Sequence, residues 1–298
     1  MAGPRALITG LSGFTGRHLA RELEAAGYEV FGTLHRGEDA APGRFPLDLC
    51  RADQVRAMVD QVRPDVVAHL AAISFVAHGD ADAIYQVNVL GTRNLLAALA
   101  EQARAPRAVL LASSANVYGN AAREILDEST PFAPANDYAV SKLAMEYMAG
   151  LWSARLPITI ARPFNYTGVG QAPQFLVPKI VDHFKRGERV IELGNIDVER
   201  DFSDVRTVAR AYRLLLERPA PGAVLNVCSG QVHSLRQVLA MMEAIAGYRI
   251  EARVNPAFVR ANEVKRLQGD GARLRELVGA LEPIPFEDTL RWMYRGDV

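Results

Sequence analysis

Short apolar runs alternate with longer amphipathic stretches along the first half of the chain. The runs are RALIT (5–9), YEVFGTL (28–34), DVVAHL (65–70), RAVLLAS (107–113) and PITIA (157–161). Compact blocks of aliphatic and β-branched residues predict strands. The stretches between them, 14–26, 51–62, 80–102 and 138–154, space their apolar residues as helices do. Because each parallel strand needs a crossover, regular alternation of this kind predicts an α/β fold with a doubly wound parallel sheet. After Arg162 the pattern loosens, interrupted by Pro163, Gly168, Gly170, Pro173 and Pro178. A smaller C-terminal α/β lobe, suited to binding a substrate, is expected there. No repeat or long linker separates the two, so a cleft between packed lobes follows. The strand-like VLNVCS (224–229) is placed to rejoin the first sheet. The expected division is 1–165, joined by 203–229, against 166–202 and 230–298.

TGLSGFTG follows the first run and sets Gly10, Gly13 and Gly16, with Phe14 among them, in GxxGxxG spacing where the first helix opens. The first glycine permits a tight turn, the second lets backbone approach a pyrophosphate, and the third allows close helix packing. Free N–H groups at the helix start attract phosphates. The spacing by itself is common in turns, but its place between first strand and first helix is that of a Rossmann dinucleotide-binding domain. The end of the second strand, TLHRGED, then bears on the choice of cofactor. An acidic residue there binds the adenosine ribose, whereas a basic one accommodates a 2′-phosphate. His35 and Arg36 stand at that place and Asp39 comes late, which favours NADPH and leaves NADH open. Arg36 reads otherwise as a solvated loop charge. Asp48, next to Leu49, is an acceptor for the adenine amino group or a cap for helix 51–62.

Three further residues converge if this register holds: Ser114 at the end of the fourth crossover strand, and Tyr138 and Lys142 on the helix that follows. Four residues apart, Tyr138 and Lys142 share a helix face. An adjacent ammonium is expected to lower the phenol's pKa, and Ser114 to hold a substrate oxygen near it. YxxxK pairs and strand-end serines also arise by chance, so it is their joint occurrence behind a glycine loop that points to catalysis.

Composition narrows the field. Lys+Arg and Asp+Glu both number 34, and no excess of charge steers the chain to nucleic acid or an anionic membrane. The two cysteines, Cys50 and Cys228, and the six histidines lack metal-ligand spacing. No stretch is long and apolar enough to span a membrane and no leader pattern opens the chain, so a cytoplasmic protein is expected.

TGLSGFTG, HLAA (69–72), NVLGTRNLL (88–96), SSANVYG (113–119), YAVSK (138–142) and ARPFNYTG (161–168) together resemble the extended short-chain dehydrogenase/reductases that act on nucleotide sugars. The resemblance covers nearly the whole chain. It implies that Leu70, Ala71 and Ala72 line the cofactor cleft and that the second lobe holds a nucleoside diphosphate sugar. LGNIDVERDFSDV (193–205) is similar to GDP-mannose 4,6-dehydratases and GDP-4-keto-6-deoxy-D-mannose reductases. Asn165, Lys179, Arg200, Arg260 and Glu263 match that group in order, and with Ser74 and Asn116 are implied to contact the substrate. Lys179 and Arg200 suit phosphates, and Glu263 suits ribose hydroxyls or guanine N–H groups. Surface charges and ion pairs are the plainer reading of the same residues.

Elimination of water from a hexose needs acid and base groups beyond Ser, Tyr and Lys, and dehydratases of this kind carry carboxylates just after the Ser/Thr. Ala115 and Asn116 stand there, and Glu124, Asp127 and Glu128 fall in the next loop. The resemblance therefore implies a reductase of a GDP-linked 4-keto-6-deoxy sugar yielding GDP-D-rhamnose. Attack from the other face giving the talose epimer, an NAD-dependent 4-epimerase and a non-enzymatic NADP sensor are the alternatives. A homodimer through helices 80–102 and 138–154 is implied by the same resemblance. Thr207 departs from the aspartate usual in the family and is expected to cap the helix after it.

Overall fold

The computed structural model describes residues 3–34, 37–74, 80–258, 264–279 and 281–296. The first half runs β1 (Arg5–Thr9), α1 (Phe14–Ala25), β2 (Glu29–Leu34), β3 (Arg44–Pro46), α2 (Ala52–Val62), β4 (Val66–His69), α3 (Ala81–Tyr85), a π-helical turn (Gln86–Gly91), α4 (Thr92–Ala100), β5 (Ala108–Ala112), a 3₁₀ turn (Ala115–Tyr118), α5 (Asp137–Gly150) and β6 (Ile158–Pro163). Next come β7 (Asn165–Thr167), α6 (Leu176–Lys185), β8 (Val190–Leu193), β9 (Glu199–Asp204), α7 (Val205–Glu217) and β10 (Val224–Val227). The chain closes with β11 (Val232–Ser234), α8 (Leu235–Ala246), β12 (Glu251–Val254), β13 (Arg266–Leu267), α9 (Ala272–Val278) and α10 (Phe286–Arg295).

Seven strands form one parallel sheet in the order β10-β6-β5-β4-β1-β2-β3. The order reverses at β1, so the carboxyl ends of β1 and β4 diverge into a crevice, the usual ligand position in such sheets. Strands β1, β4, β5 and β6 are largely buried and mostly apolar on both faces because helices cover both. One cluster joins Ala6, Ile8, Ala68 and Leu110 to Leu19 and Leu23 of α1 and Tyr212 and Leu215 of α7. The other joins Leu7, Val67, Val109 and Leu111 to Val59 of α2, Leu95 of α4 and Met145 of α5. Burying one such aliphatic side chain contributes about 1.5–3 kcal/mol, so these two clusters hold the sheet between its helices.

A third cluster lies apart, built from Val177, Ile180 and Phe184 of α6, Ile191 and Leu193 of β8, Phe202 of β9, Val238 and Met242 of α8, and Leu290 of α10. A capping box, Ser234 with Gln237, opens α8, and Gly247 in the left-handed region closes it. Strands β11, β9 and β13 form a small sheet with β7 beside β9, while β12 pairs with β8. The loosened pattern past Arg162 corresponds to these strands of two to six residues, too short for a strong alternation signal. Thr207 does not cap α7. Asp204 does, accepting the Arg206 N–H at 2.7 Å, and Thr207 sits inside the helix. Among the described residues no helix is long and apolar enough to cross a membrane.

Candidate active site

The glycine loop is held by β2 and by the segment that follows β4. Gly10 has φ +73°, a region open to glycine, and its N–H donates to Thr33 Oγ1 of β2 at 2.9 Å. A Cβ on Gly10 would lie 3.0 Å from the Ala71 backbone. Ala71 thus lies against the loop, with Leu70 before it and Ala72 after it in the chain; the Leu70 N–H donates to Thr9 O and the Ala71 N–H to Thr9 Oγ1, both at 3.2 Å. Gly16 is tighter still, since a Cβ there would stand 2.2 Å from Gly10 O. Gly13 begins α1 with no side-chain cap and no acidic residue in the first turn, so the helix start is open to an anion. Phe14 stacks on Tyr166 with centroids 6.0 Å apart. These features fit a dinucleotide pyrophosphate: a cradle that a single methyl would fill, under uncapped N–H groups. Gly16→Ala is expected to abolish NADPH binding measured by fluorescence titration, because backbone and not a movable side chain fills the space.

Asp48 Oδ1 accepts the Cys50 N–H at 2.9 Å, fixing a turn ahead of α2, whose cap position belongs to Arg51. The capping role expected of Asp48 is therefore replaced by a turn. Leu49 is buried and its carbonyl accepts from Asn94 at 3.0 Å. His35 and Arg36 lie outside the described residues, as do Arg260 and Glu263.

Ser114, Tyr138 and Lys142 come together at the carboxyl ends of β5 and β6. Ser114 follows β5 and caps the 3₁₀ turn, accepting the Asn116 N–H at 3.2 Å, and its side chain hydrogen-bonds Tyr138. Asn136 caps α5, which fixes where Tyr138 falls on the helix. Lys142 Nζ lies 6.0 Å from the Tyr138 ring centroid and donates to Ala112 O at 2.7 Å. Burial lowers the Lys142 pKa to about 8, opposed by Glu146. The expectation that the phenol is lowered fails in this geometry. Burial raises Tyr138 above its ordinary value, and only the Ser114 hydrogen bond works against that. A phenol held protonated at neutral pH is a proton donor, the form a carbonyl reduction needs.

Sequence reasoning missed what supports this set. Beneath Lys142, Glu146 is paired with Arg162, Nη2 to Oε2 at 2.6 Å and Nε to Oε1 at 2.9 Å, both side chains nearly fully buried. Ser113 donates to the same carboxylate. Arg162 Nη1 donates to Tyr118 Oη at 2.9 Å, and Tyr118 donates to Asn226 Oδ1 of β10 at 2.7 Å. The signal available was a charged residue one helical turn past Lys142 and another ending an otherwise apolar strand. The π turn was missed as well. It places Asn88, wholly buried, so that its side chain accepts from Ile73 N at 2.9 Å and donates to Ser141 Oγ at 3.0 Å. An Asn and a Gly inside a predicted helix marked the spot.

Two of the three loop carboxylates are committed elsewhere, and Glu124 is exposed. Glu128 accepts the Asn226 N–H at 2.7 Å, and Asp127 binds Ser129, Thr130 and Arg123. Of the residues expected to meet substrate, Asn116 adjoins Ser114, Ser74 is exposed at the end of the segment after β4, and Asn165 lies on β7 opposite Phe202. Lys179 Nζ donates to Glu192 O at 2.7 Å and sits 4.4 Å from the Phe258 ring centroid. Arg200 bonds the carbonyls of Glu199 and Lys265 at 2.9 and 3.3 Å. Both cations thus lie outside the Ser, Tyr, Lys group, on the elements of the third cluster and its small sheet.

The model of the NAD dependent epimerase/dehydratase family matches residues 6–228. The GDP-6-deoxy-D-mannose reductase of Pseudomonas aeruginosa is 37% identical over 300 residues, covering 96% of this chain and 95% of that protein. The GDP-6-deoxy-D-talose 4-dehydrogenase of Aggregatibacter actinomycetemcomitans is 34% identical over 274 residues, covering 92% and 90%. Among solved structures, that of RMD from Pseudomonas aeruginosa complexed with NADPH superposes with a TM-score of 0.85 at 34% identity, covering 99% of this chain and 97% of that one. An uncapped glycine loop at the sheet's switch point, a Ser, Tyr, Lys group at its rim and a family match over three quarters of the length agree, and the chain belongs to the NAD dependent epimerase/dehydratase family of NAD(P)-dependent enzymes.

Proposed function

We propose that this enzyme reduces the C4 ketone of GDP-4-keto-6-deoxy-D-mannose with NADPH to give GDP-D-rhamnose. The carrying observation is that Ser114, Tyr138 and Lys142 converge while, among the described residues, the carboxylates of Asp127 and Glu128 are held away from them. Ala115 and Asn116 follow the serine, and Glu128 and Asp127 are spent on the backbone of β10 and on their own loop. Reduction needs one proton donor, which Tyr138 provides; dehydration needs more.

The cofactor supplies hydride to C4 when bound. Ser114 holds the sugar oxygen, Tyr138 gives its proton to that oxygen as the C–H bond forms, and the charge left on the phenolate is met by Lys142. Residues 1–165 with 203–229 carry the cofactor in this reading, and Asn165, Lys179, Arg200, Arg260 and Glu263 take the GDP part. The talose relative supports a second reading in which the ring turns its other face to the hydride. Loss of NADPH absorbance on adding the keto sugar, followed by NMR of the product, tests both. Rhamnose is expected; the talose epimer keeps the chemistry and changes the face, and no oxidation of NADPH refutes the reductase and points to the epimerase.

The proposal includes a cytoplasmic homodimer. Val140, Ala144 and Tyr147 of α5 and Leu151 at its C-cap form one stripe, with Tyr147 67% and Leu151 82% exposed, beside exposed Leu90 of the π turn. An apolar stripe shared by two packed elements suits a two-fold partner. Tyr147→Glu with Leu151→Glu is expected to halve the mass measured by light scattering; an unchanged mass places the contact elsewhere.

A further inference from the structure

β4 ends on His69, a buried imidazole with no part in the chemistry above. Its Nδ1 stands 2.6 Å from Thr9 Oγ1 and its Nε2 2.7 Å from Thr92 Oγ1. What the two hydroxyls do elsewhere decides the direction of both bonds. Thr92 has one proton, and Asn88 O, which can only accept, lies 2.7 Å away. Thr92 therefore donates to Asn88 O and accepts from His69, which puts a proton on Nε2. Thr9 Oγ1 accepts the Ala71 N–H, so its own proton is free to go to Nδ1, which must then be bare. The opposite tautomer leaves the Thr9 proton buried without an acceptor and takes the Thr92 proton from Asn88 O. The imidazolium keeps the first of these faults. Each unmet buried group costs about 1–3 kcal/mol. Burial, and after it the positive charge of Lys142, act in the same sense, lowering the ring's pKa to about 3.

We propose that His69, fixed as the neutral Nε2–H tautomer, is a positioning residue that ties the phosphate loop to the helix carrying Tyr138 and Lys142. The inference rests on the dinucleotide site proposed above. A one-way chain of hydrogen bonds runs from the Ala71 N–H through Thr9, His69 and Thr92 to the carbonyl of Asn88. At one end Thr9 leads directly into Gly10. At the other, the Asn88 side chain donates to Ser141, whose hydroxyl donates to Tyr138 O at 2.8 Å. A shift of either end is thereby felt at the other, through an uncharged link lying in the field of Lys142.

Nitrogen-resolved NMR of ¹⁵N-labelled protein, with His69 assigned by its loss in His69→Gln, reads the tautomer without any cofactor. The expected spectrum has a pyrrole-type Nε2 and a pyridine-type Nδ1, unchanged from about pH 5 to about pH 8. A protonated Nδ1, or titration within that range, overturns the assignment. Thr92→Val tests the coupling, with an expected rise of about 10-fold in the NADPH Kd and a fall of about 10²-fold in kcat/KM, the scale of a small misplacement. The alkaline limb of the rate profile is expected to move too. Thr92→Ser keeps the hydroxyl and should restore all three. A Thr92→Val protein that melts lower yet keeps wild-type Kd and pH profile overturns the coupling and leaves the reductase standing. A wild-type chain that takes up no NADPH overturns the coupling together with the functional reading, while the imidazole spectrum still decides the tautomer.

Discussion

Tyr138→Phe is expected to lower turnover about 10²- to 10⁴-fold, the range for removing a positioned acid, with NADPH affinity nearly unchanged. The ring and its packing survive the change; what goes is the hydrogen bond to Ser114 and the phenolic proton that the proposed mechanism gives to the substrate oxygen. Stopped-flow single turnovers separate the hydride step from binding and product release. A rate within a few-fold of wild type would remove Tyr138 from the chemistry and with it the reductase assignment. The pH dependence has a definite sign. Lys142, lowered to about 8, loses its charge as pH rises through that value, so the reductive rate is expected to be full below it and to decline above it.

Glu146→Gln strikes beneath the same group. The substitution keeps the size of the side chain but leaves Arg162, buried and still charged, without its counterion. Removing one partner of a buried pair costs about 3–5 kcal/mol. For a protein of this size that is a fall in Tm on the order of 10 °C, measurable by calorimetry. The variant also takes away the one influence that raises the Lys142 pKa. The alkaline limb of kcat/KM should therefore move to lower pH. A lower Tm with an unmoved limb would mean that Glu146 braces the sheet and does nothing for Lys142.

How far the chain declares itself depends on which force places each residue. RALIT is β1 as read, Arg5–Thr9, and the helix predicted at 51–62 is Ala52–Val62, because wholly buried strands and one-sided helices write their burial into composition. β3, three residues at the sheet's edge, has no such imprint. The apolar spacing over 80–102 predicts one helix, whereas the chain forms two helices joined by a π turn around Asn88. That turn sets the Asn88 amide between Ile73 and Ser141, partners that only the tertiary fold brings to it. Ser114, Tyr138 and Lys142 were legible from their spacing. The raised phenol was not, since the desolvation that raises it depends on what packs over the ring. Glu146 and Arg162 are 16 residues apart and meet only because α5 lies across β6.

The seventh strand of the main sheet carries a consequence for how this enzyme comes into being. β10 reaches its place beside β6 only after the chain has passed through β7, α6, β8, β9 and α7, and it arrives bearing Asn226, the acceptor for Tyr118. On a ribosome the emerging sheet therefore waits with an open β6 margin, able to pair with a stray strand. Its last hydrogen bonds are made by a segment that cannot arrive until β7, α6, β8, β9 and α7 have been synthesised. A polypeptide released before β10 has no sealed sheet, and its buried Tyr118 is left without the acceptor that Asn226 brings.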